Sequence, residues 1–159
     1  MTAVMAAGWA AAAGLAFLLL FPQPPDAPNP ATLRAELMAA DAVELAWAAT
    51  GDPAGPEASG DVVWSNDRQA GVMRFRGLAV NDPSVFQYQL WIFDATRDER
   101  YPIDGGVFDV VQAGGDVLVT IDPKLAVAEP TLFAVTVEKP GGVVVSSRER
   151  IAVVATVEG

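Results

Sequence analysis

Asp94, Asp98, Glu99, Asp104 and Asp109 form the densest group of carboxylates in the chain, in and around the stretch ATRDERYPIDGG. Closely spaced carboxylate oxygens are the donor set of a calcium loop. The spacing here departs from the EF-hand pattern, and Arg97 and Arg100 stand between the acids. The stretch therefore reads as a solvated, salt-bridged hairpin loop. Asp104 with Asp109 is the kind of carboxylate pair that acid–base hydrolysis uses, but no neighbouring motif supplies a pocket or a partner. Ser146-Ser147-Arg148 near Lys139 has the composition of a Ser–Lys nucleophile, at strand ends where both residue types are common. The chain has no His and no Cys. The first absence removes the usual neutral-pH general base and the commonest metal ligand. The second excludes disulfides and thiolate metal sites. The sequence thus nominates no catalytic residue, no cofactor-binding residue, no metal ligand and no cofactor, and it predicts a protein that is not an enzyme.

The elements that would position such groups fall into three parts, at residues 1–21, 22–40 and 41–159. The first, MTAVMAAGWAAAAGLAFLLLF, carries no charge, and the first charged residue is Asp26. As a helix, Ala3 to Phe21 would be roughly 28 Å long, close to the roughly 30 Å hydrocarbon core of a bilayer. This predicts a transmembrane anchor, single-pass, with the rest of the chain beside the membrane. A cleaved signal peptide would place basic residues before a shorter apolar core and a small-residue cleavage site after it. Here no Lys or Arg precedes the run and Pro-rich sequence follows it. A buried Ala-rich helix is the third reading. Neither flank carries the Lys and Arg excess that normally sets orientation. Pro22 to Pro30, PQPPDAPNP, locks φ and removes amide donors, so it reads as a stiff, extended spacer. Ala31 to Ala40 holds good helix formers, with Thr32 as a candidate cap.

The remaining residues are enough for one domain with a sizeable core. Twenty acidic against ten basic residues give a net charge of −10, which disfavours nucleic acid and anionic lipid surfaces as partners. Short strand patterns follow one another. Val43, Leu45 and Trp47 alternate within Asp41 to Ala49, Gly51 to Gly60 is loop by composition, and Asp61 to Ser65 and Gly71 to Leu78 are strands. Asn81-Asp82-Pro83 breaks the chain. Phe86 to Asp94 is the longest alternation, with Phe86, Tyr88, Leu90 and Ile92 on one face and Gln87, Gln89, Trp91 and Phe93 on the other. Strands are predicted at Val107 to Val111, Asp116 to Ile121, Thr131 to Glu138, Val143 to Ser146 and Glu149 to Val157. Turns are predicted at Gly105-Gly106, Gly114-Gly115 and Gly141-Gly142, where positive φ is cheap. This pattern predicts an all-β fold, an antiparallel immunoglobulin-like β-sandwich. The aromatic set Trp64, Phe75, Tyr88, Trp91, Phe93, Phe108 and Phe133 is expected in its core.

Five stretches in order carry a resemblance: GDVVWS (Gly60 to Ser65), GLAVNDPS (Gly77 to Ser84), YQLWIFD (Tyr88 to Asp94), DGGVFDV (Asp104 to Val110) and FAVTVEKPGG (Phe133 to Gly142). Over roughly Asp41 to Gly159 the chain resembles the C-terminal extracytoplasmic domain of the anti-sigma-K factors. That family joins a cytoplasmic sigma-binding domain, one membrane helix and this β domain. The resemblance implies a membrane-anchored regulator of an extracytoplasmic-function sigma factor, with the β domain on the outer side of the cell membrane. Implied partners are a sigma factor, met through a cytoplasmic part that this sequence is expected to lack, and regulatory proteases. The resemblance carries over no catalytic residue. The competing reading is a signal-anchored extracytoplasmic binding or adhesion sandwich with no transcriptional role.

Overall fold

A computed structural model of the chain describes residues 28–157; the expected anchor at Ala3 to Phe21 and most of the Pro-rich spacer lie outside the described residues. Helix α1 spans Pro30–Met38. Asn29 caps it, its side chain accepting the Ala31 N–H at 2.9 Å and the Thr32 N–H at 3.4 Å. Pro30 fills the first helical position, where a missing N–H leaves nothing unsatisfied. The cap is therefore Asn29 and not Thr32, which lies inside the first turn.

Among the described residues nine strands follow: β1 (Val43–Ala46), β2 (Ala48–Ala49), β3 (Ser59–Ser65), β4 (Ala70–Arg76), β5 (Gln87–Asp94), β6 (Ile103–Phe108), β7 (Val117–Ile121), β8 (Pro130–Glu138) and β9 (Ile151–Thr156). They form two antiparallel sheets, ordered β1-β3-β4-β7 and β2-β9-β8-β5-β6. The stretch read as one first strand is split. Val43–Ala46 pairs with β3 in one sheet and Ala48–Ala49 with β9 in the other. Between them Trp47 turns into the core and stacks on Phe75 at 5.3 Å. The adjacency of β5, β8 and β9 matches the C-F-G order of immunoglobulin domains, whereas β4 stands between β3 and β7 in the first sheet.

The core lies between the sheets. Val62, Trp64, Met73 and Phe75 of the first sheet meet Tyr88, Leu90, Ile92, Phe133 and Val135 of the second. Phe75, Phe108 and Tyr88 stack in series at 5.4 and 5.5 Å. The alternation read over Phe86 to Asp94 thus has its core face correctly placed. Trp91 and Phe93 are on the other face of β5: Trp91 is buried as expected, but apart from the inter-sheet cluster, and Phe93 is half-buried.

A second, smaller core forms where α1 lies on the outer face of the first sheet. Leu33 and Leu37, one helical turn apart, close over Val63 and Val72. Beside them Asp61 is buried and takes ion pairs from Arg34 of α1 and from Arg74 of β4, whose Nε donates to Asp61 Oδ2 at 2.8 Å. Two guanidiniums on one buried carboxylate compensate its desolvation. They also hold the helix in register with the sheet.

Gly105-Gly106 is not a turn. Both residues lie inside β6, where Leu90 pairs with Gly106 and Trp91 with Asp104, leaving Gly105 as an unpaired bulge residue. The reason is parity. Ile103 and Phe108 both point into the core, yet they are an odd number of positions apart. Strand side chains alternate, so one inserted residue is needed to bring both inward.

Candidate functional site

Four of the five carboxylates singled out in the sequence are dispersed, each by a structural duty, and the fifth, Glu99, is exposed. Asp94, at the end of β5, is buried. Its Oδ1 accepts the Thr96 N–H and hydroxyl at 2.8 and 2.6 Å, and its Oδ2 accepts the N–H of Ala128 at 2.6 Å and of Glu129 at 3.2 Å. Burial raises its pKa, and these donors outweigh that and leave it lowered. Asp98 pairs with Arg100 at 2.6 Å, as a salt-bridged loop would. Asp104 accepts the Gly106 N–H at 2.8 Å. Asp109 accepts Asn81 Nδ2–H at 2.6 Å and Gln87 Nε2–H at 3.0 Å. Asp104 and Asp109 are thus engaged in separate networks. Among the described residues no group of three metal-ligating acids occurs. Ser146 donates its hydroxyl to Glu138 Oε1 rather than meeting Lys139.

The arrangement that the sequence did not reveal is a strap, residues 139–150, which connects β8 to β9. Val143 to Ser146 was expected as a strand; here it has no ladder partner and lies over the outer face of the second sheet. Gln89 holds it. Its Oε1 accepts the Val143 N–H at 2.9 Å and its Nε2 donates to the Val143 C=O at 3.0 Å. Gln87 Oε1 accepts the Gly141 N–H at 2.8 Å. Gly142 packs so closely that a Cβ there would lie 2.8 Å from Gln89 Oε1. At the far end the Arg148 guanidinium lies 5.0 Å over the Phe93 ring and donates to the Glu99 C=O.

Trp91 occupies the outer face of the sheet, only 2 % exposed. Its Nε1–H donates to Thr136 Oγ1 at 2.9 Å, and that hydroxyl donates to Glu138 Oε1 at 2.7 Å. Gln89 and Trp91 come from YQLWIFD, and Thr136, Glu138 and Gly142 from FAVTVEKPGG. Two of the stretches that carry the resemblance therefore meet in one place. Gln87 and Gln89 were legible only as polar positions on an alternating strand. No local pattern marks them as strap anchors.

Other stretches act as staples. Asn81, in GLAVNDPS, accepts the Val110 N–H at 2.8 Å and donates to the Phe86 C=O at 2.8 Å, fastening the β4–β5 connection to the end of β6. The Tyr88 hydroxyl donates to the Ala79 C=O at 2.8 Å. Burial is the main reason its pKa is pushed up to about 12. Asp52 takes Arg150 at 2.8 Å. Burial raises the Asp52 pKa, but Arg150 and the Ala54 N–H together leave it lowered. An open groove of about 720 Å³ separates β1 from β9, lined by Val43, Leu45, Ala48, Val154 and Val157 with Glu44 as its one charged group. Such an apolar lining can accommodate side chains, but it presents no converging polar groups for chemistry.

Comparison with known proteins adds one match. The model of the family described as anti-sigma-K factor rskA, C-terminal, matches residues 4–156. No curated protein and no solved structure matches the chain. Because the match runs through every strand described above, the chain belongs to the anti-sigma-K factor rskA C-terminal family.

Proposed function

We propose that the two-sheet domain is the extracytoplasmic regulatory part of a membrane-anchored anti-sigma factor, controlling when an extracytoplasmic-function sigma factor is released. The observation that carries this reading is the extent of the family match. It begins at residue 4, so it takes in the uncharged apolar run together with the β domain. On this reading the run from Ala3 to Phe21 crosses the cell membrane and the spacer holds an immunoglobulin-like sandwich outside. The sigma factor is met on the cytoplasmic side and regulatory proteases act on the outer domain. Among the described residues no helix is long and apolar enough to cross a membrane. The acidic charge of the chain keeps it off nucleic acid. The reading assigns the domain no catalysis and no cofactor.

The test has two arms. The full chain should sediment with membranes and resist carbonate extraction, with residues 28–157 digestible from the outer face of spheroplasts. In cells carrying the gene, deleting the codons for residues 28–157 should change the output of a sigma-dependent reporter. A soluble product starting near Pro22 would overturn the anchor. Membrane attachment with an unchanged reporter would instead favour the adhesion or binding module.

A further inference from the structure

We infer that the sandwich rests end-on against the lipid bilayer, through an apolar surface made by Val80, Val85 and Val111. The inference rests on the membrane anchor of the regulatory reading, and it names the surface by which the outer domain meets the lipid.

The direction of α1 decides which end faces the bilayer. Arg34 reaches Asp61, level with Arg74 of β4, and two residues later Glu36 reaches Arg68 in the β3–β4 turn. The chain then enters β1 at Val43, level with Trp64 beside the same turn. Helix α1 thus runs toward that turn, and its first residue, Pro30, points to the opposite end of the sandwich. That end is formed by the connections 50–58, 77–86 and 109–116. Residues 22–27 separate the apolar run from Pro28 and span at most roughly 25 Å even when fully extended. The end at which the chain enters is therefore held near the bilayer. The other end lies further out by the length of a strand such as β5, about 26 Å.

Three exposed valines gather at the entry end. Val80 is 47 %, Val85 66 % and Val111 81 % exposed. Asn81 holds them together. It accepts the Val110 N–H at 2.8 Å and donates its backbone N–H to the Val110 C=O at 3.2 Å. Its side-chain N–H goes to the Phe86 C=O at 2.8 Å. Each valine adjoins Asn81, Phe86 or Val110 in sequence, so one staple sets all three side by side. Single exposed apolar residues are ordinary on a protein surface, whereas a cluster of them marks a contact surface.

Charge is distributed in the same sense. The three connections at the entry end hold five charged residues, all acidic. Asp52 is paired with Arg150, Asp116 with Arg76, and Asp109 accepts from Asn81 and Gln87. The three connections at the far end, 66–69, 95–102 and 122–129, hold nine charged residues. Tyr101 and Leu125 are exposed there, each alone between polar neighbours. Val144 and Val145 of the strap are exposed beside Lys139, on the side of the sandwich. The entry-end connections contain no Lys or Arg, so they suit apolar contact with zwitterionic lipid rather than capture of anionic headgroups. Three valines hold a free domain to lipid only weakly, but a tether this short keeps the effective concentration in the millimolar range.

The chain has no Cys, so one introduced thiol carries one label. The full chain is labelled with nitrobenzoxadiazole at Val85→Cys and, separately, at Leu125→Cys, reconstituted into phosphatidylcholine vesicles and recovered by flotation. Spin-labelled lipid should quench the label at residue 85 roughly threefold more than the label at 125, since an apolar face sinks about 5–10 Å into the headgroup boundary. Adding Val80→Asp with Val111→Asp should bring the two labels level, with an unchanged melting temperature. Equal quenching at both positions in a chain that floats overturns the inference and leaves the anchor standing. Stronger quenching at 85 that survives the two aspartate substitutions also overturns it, because the label and not the valines then makes the contact. A chain that does not float removes the anchor, and the inference with it.

Discussion

Trp91 Nε1–H donates to Thr136 Oγ1 at 2.9 Å across neighbouring strands β5 and β8, on the face of the second sheet turned away from the shared core. A buried indole N–H without a partner would cost about 1–3 kcal/mol. Thr136 removes that cost, and both residues are only 2 % exposed. The outer face of this sheet is therefore a small second interior, as the face under α1 is for the first sheet.

Trp91→Ala should lower stability by about 3–5 kcal/mol, the usual range for truncating a buried aromatic side chain. Thr136→Val should cost about 1–3 kcal/mol by orphaning the indole N–H. Urea denaturation followed by far-ultraviolet circular dichroism measures both. A Trp91→Ala protein as stable as the parent would show that Trp91 is exposed in solution.

Gly105→Ala should be destabilising by about 1–3 kcal/mol through overpacking. A Cβ at that bulge would lie 2.5 Å from Leu90 Cδ2 and 2.7 Å from its Cγ. Leu90→Ala removes those atoms, so in a double-mutant cycle the pair should cost less than the sum of the single changes. Strict additivity would mean that the bulge sits elsewhere along β6.

Acid should loosen the connections that Asp94 and Asp52 hold. Both carboxylates have pKa values below their ordinary ones despite burial, Asp94 through Thr96 and the N–H groups of Ala128 and Glu129, Asp52 through Arg150 and the Ala54 N–H. A folded pKa below the unfolded one gives stability that is complete above the unfolded value, near pH 4. It is lost as pH falls through the lower folded value. Asp94→Asn should therefore flatten the fall in melting temperature below about pH 4. An unchanged slope would place the acid sensitivity on other groups.

Chelation should leave the domain as it is. Asp94, Asp98, Asp104 and Asp109 are spent on backbone N–H groups, Arg100, Asn81 and Gln87 rather than on a common centre. Melting curves with and without EDTA should superimpose. A lower melting temperature with EDTA would mean that the loop at Asp98 to Asp109 holds calcium.

Local alternation determined much of the fold from the sequence alone. Tyr88, Leu90 and Ile92 had to share a face because strand side chains alternate, and that face is the core. The Asp98–Arg100 loop and the Gly114-Gly115 and Gly141-Gly142 turns were legible for the same local reason, since a charge pair or a positive φ is set within a few residues. The bulge at Gly105 was not, although Ile103 and Phe108 carry its parity signal, because a glycine pair reads first as a turn. Only the tertiary structure decided the fate of Val143 to Ser146. Its residues favour a strand, but β8 is already paired on both sides, by β5 and β9, so no free ladder remains beside it. The segment instead takes its backbone hydrogen bonds from Gln89, as Gly141 just before it does from Gln87, more than fifty residues earlier. A pairing that distant depends on the sheet being assembled first, and no local sequence pattern encodes it.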